Sequence, residues 1–387
     1  MRKIVSLYYY GGMEVPHMCE RLTEAQQRAI LHVESLAAST RKSNEAITEH
    51  ILRKHGKDPV PMRRQFTRIG TYARVTLNFH PDRILPNGHS VIESLLTEGV
   101  YHNQFITSVT NGSRTAFPGG DRDQWERLLF GGAYQQPGVR HDERPKYGAL
   151  NLMNYADGAS PRFGSCFLVL SPGILKRSTF TFGDSHAGPE FVGTLRQWDS
   201  ILAALLQQVE STGSALGSPN VNIPAMLERL IHIPSSHTGP VGPVGRSLDD
   251  YIEAQIHGTI DLSSDAEALV ADPSYKHTLI GRLLHALCER YHLALSWHPG
   301  FRLAVQDVPD DFRGPAMPPL AKRIDQRYAG SKGVLDAAII GKAAAHLEDD
   351  PSHWRDWGTY EETFQHLKQL WHVLVKYGHP NPNAVDR

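Results

Sequence analysis

The chain holds 387 residues, with 40 Lys+Arg against 41 Asp+Glu, a formal net charge of −1 and 40% apolar residues. Balanced charge at ordinary apolar content excludes a globally disordered chain, and the lack of a basic excess excludes an extended nucleic-acid footprint, leaving only local contact with a nucleotide end or base. At about 150 residues per domain this is two or three domains' worth of chain, or one large domain with additions.

Three cysteines, Cys19, Cys166 and Cys288, stand far apart with no CxxC pair. That spacing supports neither a disulfide framework nor a thiolate zinc site and fits a reducing compartment, the cytoplasm or the cytosol of a target cell into which the protein is delivered. The opening Met1-Arg-Lys-Ile-Val-Ser-Leu-Tyr-Tyr-Tyr10 has too short an apolar run for a secretory signal, and no membrane-spanning segment is readable.

From residue 22 to about 55, apolar residues recur at three- and four-residue steps, predicting one or two amphipathic helices. Lys57-Asp-Pro-Val-Pro61 is expected to break them, and the alternation over 72–79 predicts a strand. Ser90 is placed to cap a helix that Gly99 closes. Further strands are expected at 101–108, 147–152, 164–170, 179–182, 251–257 and 293–297, with a helix over 192–209. Residues 211–222 and the Gly/Pro run 235–245 read as loops, the second as a lid over a site. After the Pro-rich turn 309–319, helices are expected at 334–347 and 360–377. The outline is an α+β fold: a helical segment over 1–70, a β-rich core over 71–315 and a C-terminal helical segment over 316–387.

Chemistry-bearing residues gather at strand ends. His80 and Arg83 follow the first strand, where groups point into a cleft, and Arg83 has the fork that suits phosphate oxygens. The next polar run is Asn103-Gln-Phe-Ile-Thr-Ser-Val-Thr-Asn-Gly112. After it the chain is dense in aromatics and glycine through Phe117-Pro-Gly-Gly-Asp-Arg-Asp-Gln-Trp-Glu-Arg-Leu-Leu-Phe-Gly-Gly-Ala-Tyr134. Glu143-Arg-Pro-Lys-Tyr-Gly-Ala-Leu-Asn-Leu152, Pro161-Arg-Phe-Gly-Ser-Cys166 and Arg177-Ser-Thr-Phe-Thr-Phe-Gly-Asp-Ser185 are each a polar, glycine-bearing stretch tied to a strand. No HExxH, Cys/His zinc pattern, P-loop or Rossmann fingerprint occurs, so no metal site is assigned; His353, His366 and His372 read as solvated helix histidines.

These segments, in this order from about residue 75 to 315, resemble a bacterial family of unknown function (domain of unknown function 3626) and, more distantly, the ADP-ribosyltransferase-like toxin domains. The second resemblance rests on the strand, turn and helix after Phe79-His80 and on Tyr251-Ile-Glu-Ala-Gln-Ile-His-Gly258. It implies a β-rich ADP-ribosyltransferase-like core that moves ADP-ribose from NAD to an unidentified macromolecular acceptor, protein or nucleic acid. It also implies Glu253 as the catalytic carboxylate, with Gln255 on the same strand face orienting acceptor or ribose. Either His80 or Arg83 is the first-strand ligand. Thr107, Ser108 and Thr110 match the hydroxyl-bearing strand, and Tyr147 the ring that stacks on nicotinamide. Gln104 and Arg162 complete the expected NAD contacts, while Glu126 and Glu143 compete with Glu253 for the acidic role.

Two alternatives stand beside this reading. One is a non-catalytic binding module on the same fold. The other is an esterase of the Gly-Asp-Ser type, with Ser185 as nucleophile and Asp350 and His353 completing a triad.

Overall fold

The computed structural model describes residues 22–108, 115–236, 239 and 242–380. The chain opens with α1 (Glu24–Ser39) and α2 (Arg41–Lys54). A third helix, α3 (Pro59–Tyr72), occupies the stretch expected to break the helices and begin a strand. Asp58 caps it and Pro59 sits in its first turn, where a missing N–H costs nothing, so the proline run starts a helix.

The strand that follows is shorter than expected, β1 (Val75–Phe79). Then come α4 (Val91–Glu98), α5 (Asp121–Leu129) and strands β2 (Lys146–Leu150), β3 (Cys166–Leu170), β4 (Ser178–Phe182) and β5 (Val192–Thr194). Next are α6 (Asp199–Thr212), α7 (Ile223–Ile231), β6 (Ile252–Ile256), β7 (Ala266–Ala271), α8 (Leu279–Tyr291) and β8 (Ala294–Trp297). The helices α9 (Met317–Ile324), α10 (Ala337–Asp349) and α11 (Tyr360–Tyr377) end the chain.

The eight strands form one mixed sheet in the order β8-β7-β3-β1-β2-β6-β4-β5. Only β7 and β8 pair in parallel; the other neighbours are antiparallel. The fold is thus α+β, with helices flanking a central sheet. Period-two alternation gives the middle of that sheet two unlike faces. Leu77, Phe79, Leu150, Phe180, Ile252, Ala254 and Ile256 belong to the main apolar core, shared with helix residues such as Phe66, Ile201 and Leu205. The opposite face carries Thr76, Asn78, Ala149, Tyr147, Glu253, Gln255, Thr179 and Thr181, because the register sets Thr76 opposite Ala149, Tyr147 opposite Gln255, and Thr181 opposite Glu253.

Several expected elements differ. Residues 101–108 are not a strand. Val100–Tyr101 makes a two-residue pairing with Ile260–Asp261, after which Asn103 accepts from the Phe105 N–H and starts a single helical turn, Gln104–Thr107. The helix over 192–209 begins only at Asp199, since Val192–Thr194 pairs with β4. The loop over 211–222 holds a small hairpin, Ser214–Ala215 with Ser218–Pro219, and α7 follows it, capped by Asn222. Helix α9 begins inside the Pro-rich turn, and Val334–Leu335 pairs with Leu303–Ala304 before α10 starts. Ser90 and Gly99 act as expected. Ser90 forms a reciprocal cap with Glu93, and Gly99 takes the left-handed conformation at φ 68°.

The end of β1 depends on Gly164, which packs against it just before β3. A Cβ there would lie 2.1 Å from the Phe79 carbonyl carbon, so the strand that delivers His80 has to move to admit any side chain. We expect Gly164→Ala to lower unfolding free energy by about 1–3 kcal/mol, the usual range for overpacking a close contact. Urea denaturation is the check, and an unchanged midpoint would contradict this account of the contact.

Candidate functional site

A cleft of about 290 Å³ opens over the polar face of the sheet. Its walls come from the end of β1, from α4, the 101–107 turn, α5, β2, the loop before β3, the loop after β4, β6 and α11.

Glu253 lies on its floor, 5% exposed. Burial, together with the nearby Asp184 carboxylate, pushes its carboxyl up to about 7, while Ser185, Gln255 and Arg122 favour the ionised form. Beneath it runs a buried polar chain. The Gln255 amide donates to Glu253 Oε1 (2.9 Å) and also contacts Thr181 Oγ1 (3.2 Å). Thr179 donates to Gln255 Oε1 (2.8 Å), and His257 Nε2 meets Thr179 Oγ1 at 3.1 Å. Tyr134 Oη meets His257 Nδ1 at 2.5 Å. Burial and the charges of Lys146 and Arg177 hold His257 down to about 3, so it is neutral. With Thr179's proton committed to Gln255, the chain closes only with the proton on His257 Nε2 and the Tyr134 hydroxyl donating to Nδ1. Every bond in it then points toward Glu253.

The competing acids have other work. Glu126 is wholly buried and accepts from Arg144 (2.8 Å) and from the Tyr147 hydroxyl (2.7 Å). Glu143 accepts from the Arg140 backbone N–H in a local cap (3.0 Å). Tyr147 lines the cleft, and the Arg122 guanidinium lies 4.6 Å from its ring centre and 4.7 Å from that of Trp125.

His80 and Arg83 both line the cleft and both are buried, each 6% exposed. His80 sets its ring edge-on to Trp371 of α11 at 5.0 Å, and burial beside Arg83 and His372 keeps it neutral. Gln104 also lines the cleft, with its Oε1 buried and unpartnered among the described residues. Arg162 is there too, paired with Asp249 and bonded to the Leu248 carbonyl (3.3 Å).

The expected hydroxyl strand over 107–110 is not where the hydroxyls come from. Thr107 lines the cleft but sits in the helical turn, its hydroxyl on the Asn103 carbonyl (3.3 Å). Ser108 is exposed in a left-handed conformation, and Thr110 lies outside the described residues. The hydroxyls that support the Glu253 strand are Thr179 and Thr181 of β4, spaced Thr-x-Thr.

Asp350 and His353 do not meet Ser185. Ser185 faces Glu253 in the cleft, whereas Asp350 accepts from the Ser352 backbone N–H (3.1 Å) and His353 packs on His346 at 4.9 Å. The three residues His346, Asp350 and His353 come together instead, with ligand-type atoms within 4.8 Å of one another, a grouping that sequence spacing left unassigned. His366 and His372 are not simply solvated. His366 accepts from the Trp357 indole (3.1 Å), and His372 is 2% exposed. The described residues of the expected lid, 235–236, 239 and 242–245, do not line the cleft either. Among them, Pro243 accepts from the Ala156 N–H (2.9 Å) and Gly245 donates to Asp157 (2.7 Å).

Sequence reasoning also missed Arg122, Trp125, Asp184 and Lys368 as cleft residues. The Gly183-Asp-Ser185 triplet, directly after a strand, was the available signal for Asp184; a lone lysine on a C-terminal helix gave none.

A family model described as "Protein of unknown function (DUF3626)" matches residues 74–377. The chain belongs to that family. The DUF3626 match begins just before β1 and ends with α11, so it takes in every strand of the sheet and the C-terminal helices that close the cleft. No curated protein matches the chain.

Burial of Glu253 makes stability depend on pH. The carboxyl titrates near 7 in the folded protein, against an ordinary value of 4.5. Between those values the folded state holds a proton that the unfolded state has lost, so stability falls as pH rises through that window. Glu253→Gln keeps the shape and removes the ionisation. It should stabilise the protein by up to about 3 kcal/mol at pH 8, and the gain should vanish near pH 4.5. Denaturant melts at the two pH values decide this, and equal stability of both proteins at pH 8 would contradict it.

Proposed function

We propose that the cleft cleaves the nicotinamide–ribose bond of NAD and transfers ADP-ribose to an acceptor, on a core of the ADP-ribosyltransferase kind. The observation that carries this reading is the buried carboxyl of Glu253, which lies on the floor of an aromatic-walled cleft, accepts from Gln255 and is favoured in its ionised form by Ser185.

Cleavage of an N-glycosidic bond builds positive charge on the ribose as the neutral leaving group departs, much as glycoside cleavage passes through an oxocarbenium-like state. A fixed carboxylate beside that ribose stabilises the developing charge and can accept from a ribose hydroxyl. Glu253 suits the task because the buried chain below it fixes its orientation before substrate arrives. The resemblance assigns roles to one residue at the first strand, one aromatic and one late-strand glutamate. The strands concerned are β1, β2 and β6, neighbours in the sheet, and His80, Tyr147 and Glu253 all line one cleft. In this reading Tyr147 and Trp125, joined by Arg122, form the wall against the departing ring, and His80 with Gln104 holds the ribose side of the donor.

In this reading Ser185 favours the ionised form of Glu253 and does not serve as a nucleophile. Its neighbour Asp184 accepts from the Tyr251 hydroxyl (3.1 Å), which holds the turn over the carboxylate.

Incubation with labelled NAD and a cell lysate should give acceptor labelling or free ADP-ribose, and Glu253→Gln should lower turnover at least about 100-fold with the fold intact. Full turnover by the variant would end the assignment. Because the ionised carboxylate is the active form, kcat/KM should rise with pH through about 7. Ser185→Ala removes a group that favours that form, so the rising limb should move to higher pH; a profile flat across neutrality would separate Glu253 from the reaction.

A further inference from the structure

Helix α11 borders the cleft and puts Lys368 into its wall. Phe364, Lys368, Trp371 and His372 follow at steps of four, three and one, which a helix stacks along one side. Lys368 lines the cleft, Trp371 carries the ring of His80, and Phe364 lies 5.9 Å from the guanidinium of Arg83.

Arg83 and Lys368 have no bonded acid among the described residues, although the Asp184 and Asp249 carboxylates favour the charged lysine from a distance. Arg83 is 6% exposed, and its Nε and Nη1 are buried without a hydrogen-bond partner among the described residues. Asp82, its neighbour in sequence, is turned to the Tyr275 hydroxyl (2.7 Å), and burial pushes the Asp82 carboxyl up, toward the neutral form. Lys368 makes no ion pair among the described residues, and burial beside Arg162 and Arg313 brings its ammonium down to about 8, still mostly charged at neutral pH. His372, one turn further on, keeps both ring nitrogens buried and unpartnered. A buried guanidinium with idle donors is a strongly unfavourable arrangement unless something arrives to use them. A group with several anionic oxygens does so best, because Arg offers a planar fork and Lys a point charge to the same ligand.

We propose that α11 completes a phosphate-binding subsite in the cleft, with Arg83 and Lys368 as its cationic ligands. The subsite rests on the cleft being the reaction site described above, but not on NAD being the donor. Two sources supply this chemistry: the pyrophosphate of a dinucleotide donor, or a phosphate carried by the acceptor.

Calorimetric titration of the full chain with inorganic pyrophosphate tests it. Wild type should bind with an affinity that falls as salt is raised. Arg83→Gln and Lys368→Met should each weaken binding about tenfold or more, as expected for loss of a charge-assisted bond. Lys332→Met, which removes an exposed lysine outside the cleft, should bind as wild type does. If Arg83→Gln fails to fold, Lys368→Met at the protein's surface-facing end of the pair carries the comparison. No binding at millimolar pyrophosphate, or binding untouched by the folded cleft variants, would overturn the subsite. Competition locates its source: pyrophosphate that displaces NAD assigns it to the donor, and simultaneous binding assigns it to the acceptor. Pyrophosphate binding without any NAD turnover would leave the subsite standing and remove the NAD reading, whereas NAD turnover without pyrophosphate binding would do the reverse.

Discussion

The architecture of the cleft turns on the hydrogen-bond chain from Tyr134 through His257, Thr179 and Gln255 to Glu253. Each member is buried, so each must be satisfied, and each has its donor or acceptor choice forced by the one before. A protonated His257 would break the sequence, since Nδ1 would then present a proton to the Tyr134 hydroxyl. Burial and two neighbouring cations keep it neutral. The result is a carboxyl whose position is fixed by buried groups that do not line the cleft, so Gln255 supports Glu253 and, contrary to expectation, does not reach an acceptor or ribose. It also constrains β6 at every position: Ile252, Ala254 and Ile256 fill the core, while Glu253 and Gln255 face the other way. A slip of one residue would bury the acid in the apolar layer and turn isoleucines into the cleft.

The other acids show what distinguishes a fully paired carboxylate from Glu253. Glu126 is buried more completely than Glu253, yet Arg144 and Tyr147 occupy its two oxygens. Glu253 has amide and hydroxyl neighbours, with no guanidinium bonded to it, and Asp184 adds repulsion. Its charge is therefore only partly compensated, which suits the proposed role beside a cationic transition state. The same reasoning applies with opposite sign to Arg83 and Lys368. A cleft that holds under-compensated charges of both signs is less stable than one that pairs them, and such local concessions concentrate where ligands bind.

Much of this was legible in the sequence where a local rule had no competitor. The alternation of residues 251–257, the Ser90 cap with its Gly99 terminator, and the amphipathic run 360–377 each read correctly because propensity, pattern and packing agree there. Residues 101–108 misled because β-branched and aromatic residues suggest a strand, whereas one side chain, Asn103, captured the backbone into a turn. That error carried the search for supporting hydroxyls to Thr107, Ser108 and Thr110. Thr179 and Thr181 had the right spacing on a strand already identified, but only sheet order, which no local pattern reveals, puts β4 beside β6. Pro59 misled in the other direction, as a proline can open a helix as readily as end one.

Sheet order also explains why the C-terminal helices belong with the sheet and are no appendage. His80 ends a strand at residue 79, and its ring packs on Trp371, almost three hundred positions later. Trp371 in turn donates from its indole to the Pro161 carbonyl (2.9 Å), at the loop that leads through Gly164 into β3. One side chain thus ties α11 to the two neighbouring strands whose ends open the cleft. Without that helix, His80 and Arg83 would face solvent, where a guanidinium is hydrated and gains little from a ligand. With it, Arg83 is desolvated and its Nε and Nη1 lack partners among the described residues, so the charge of the proposed ligand would be felt more strongly than in water.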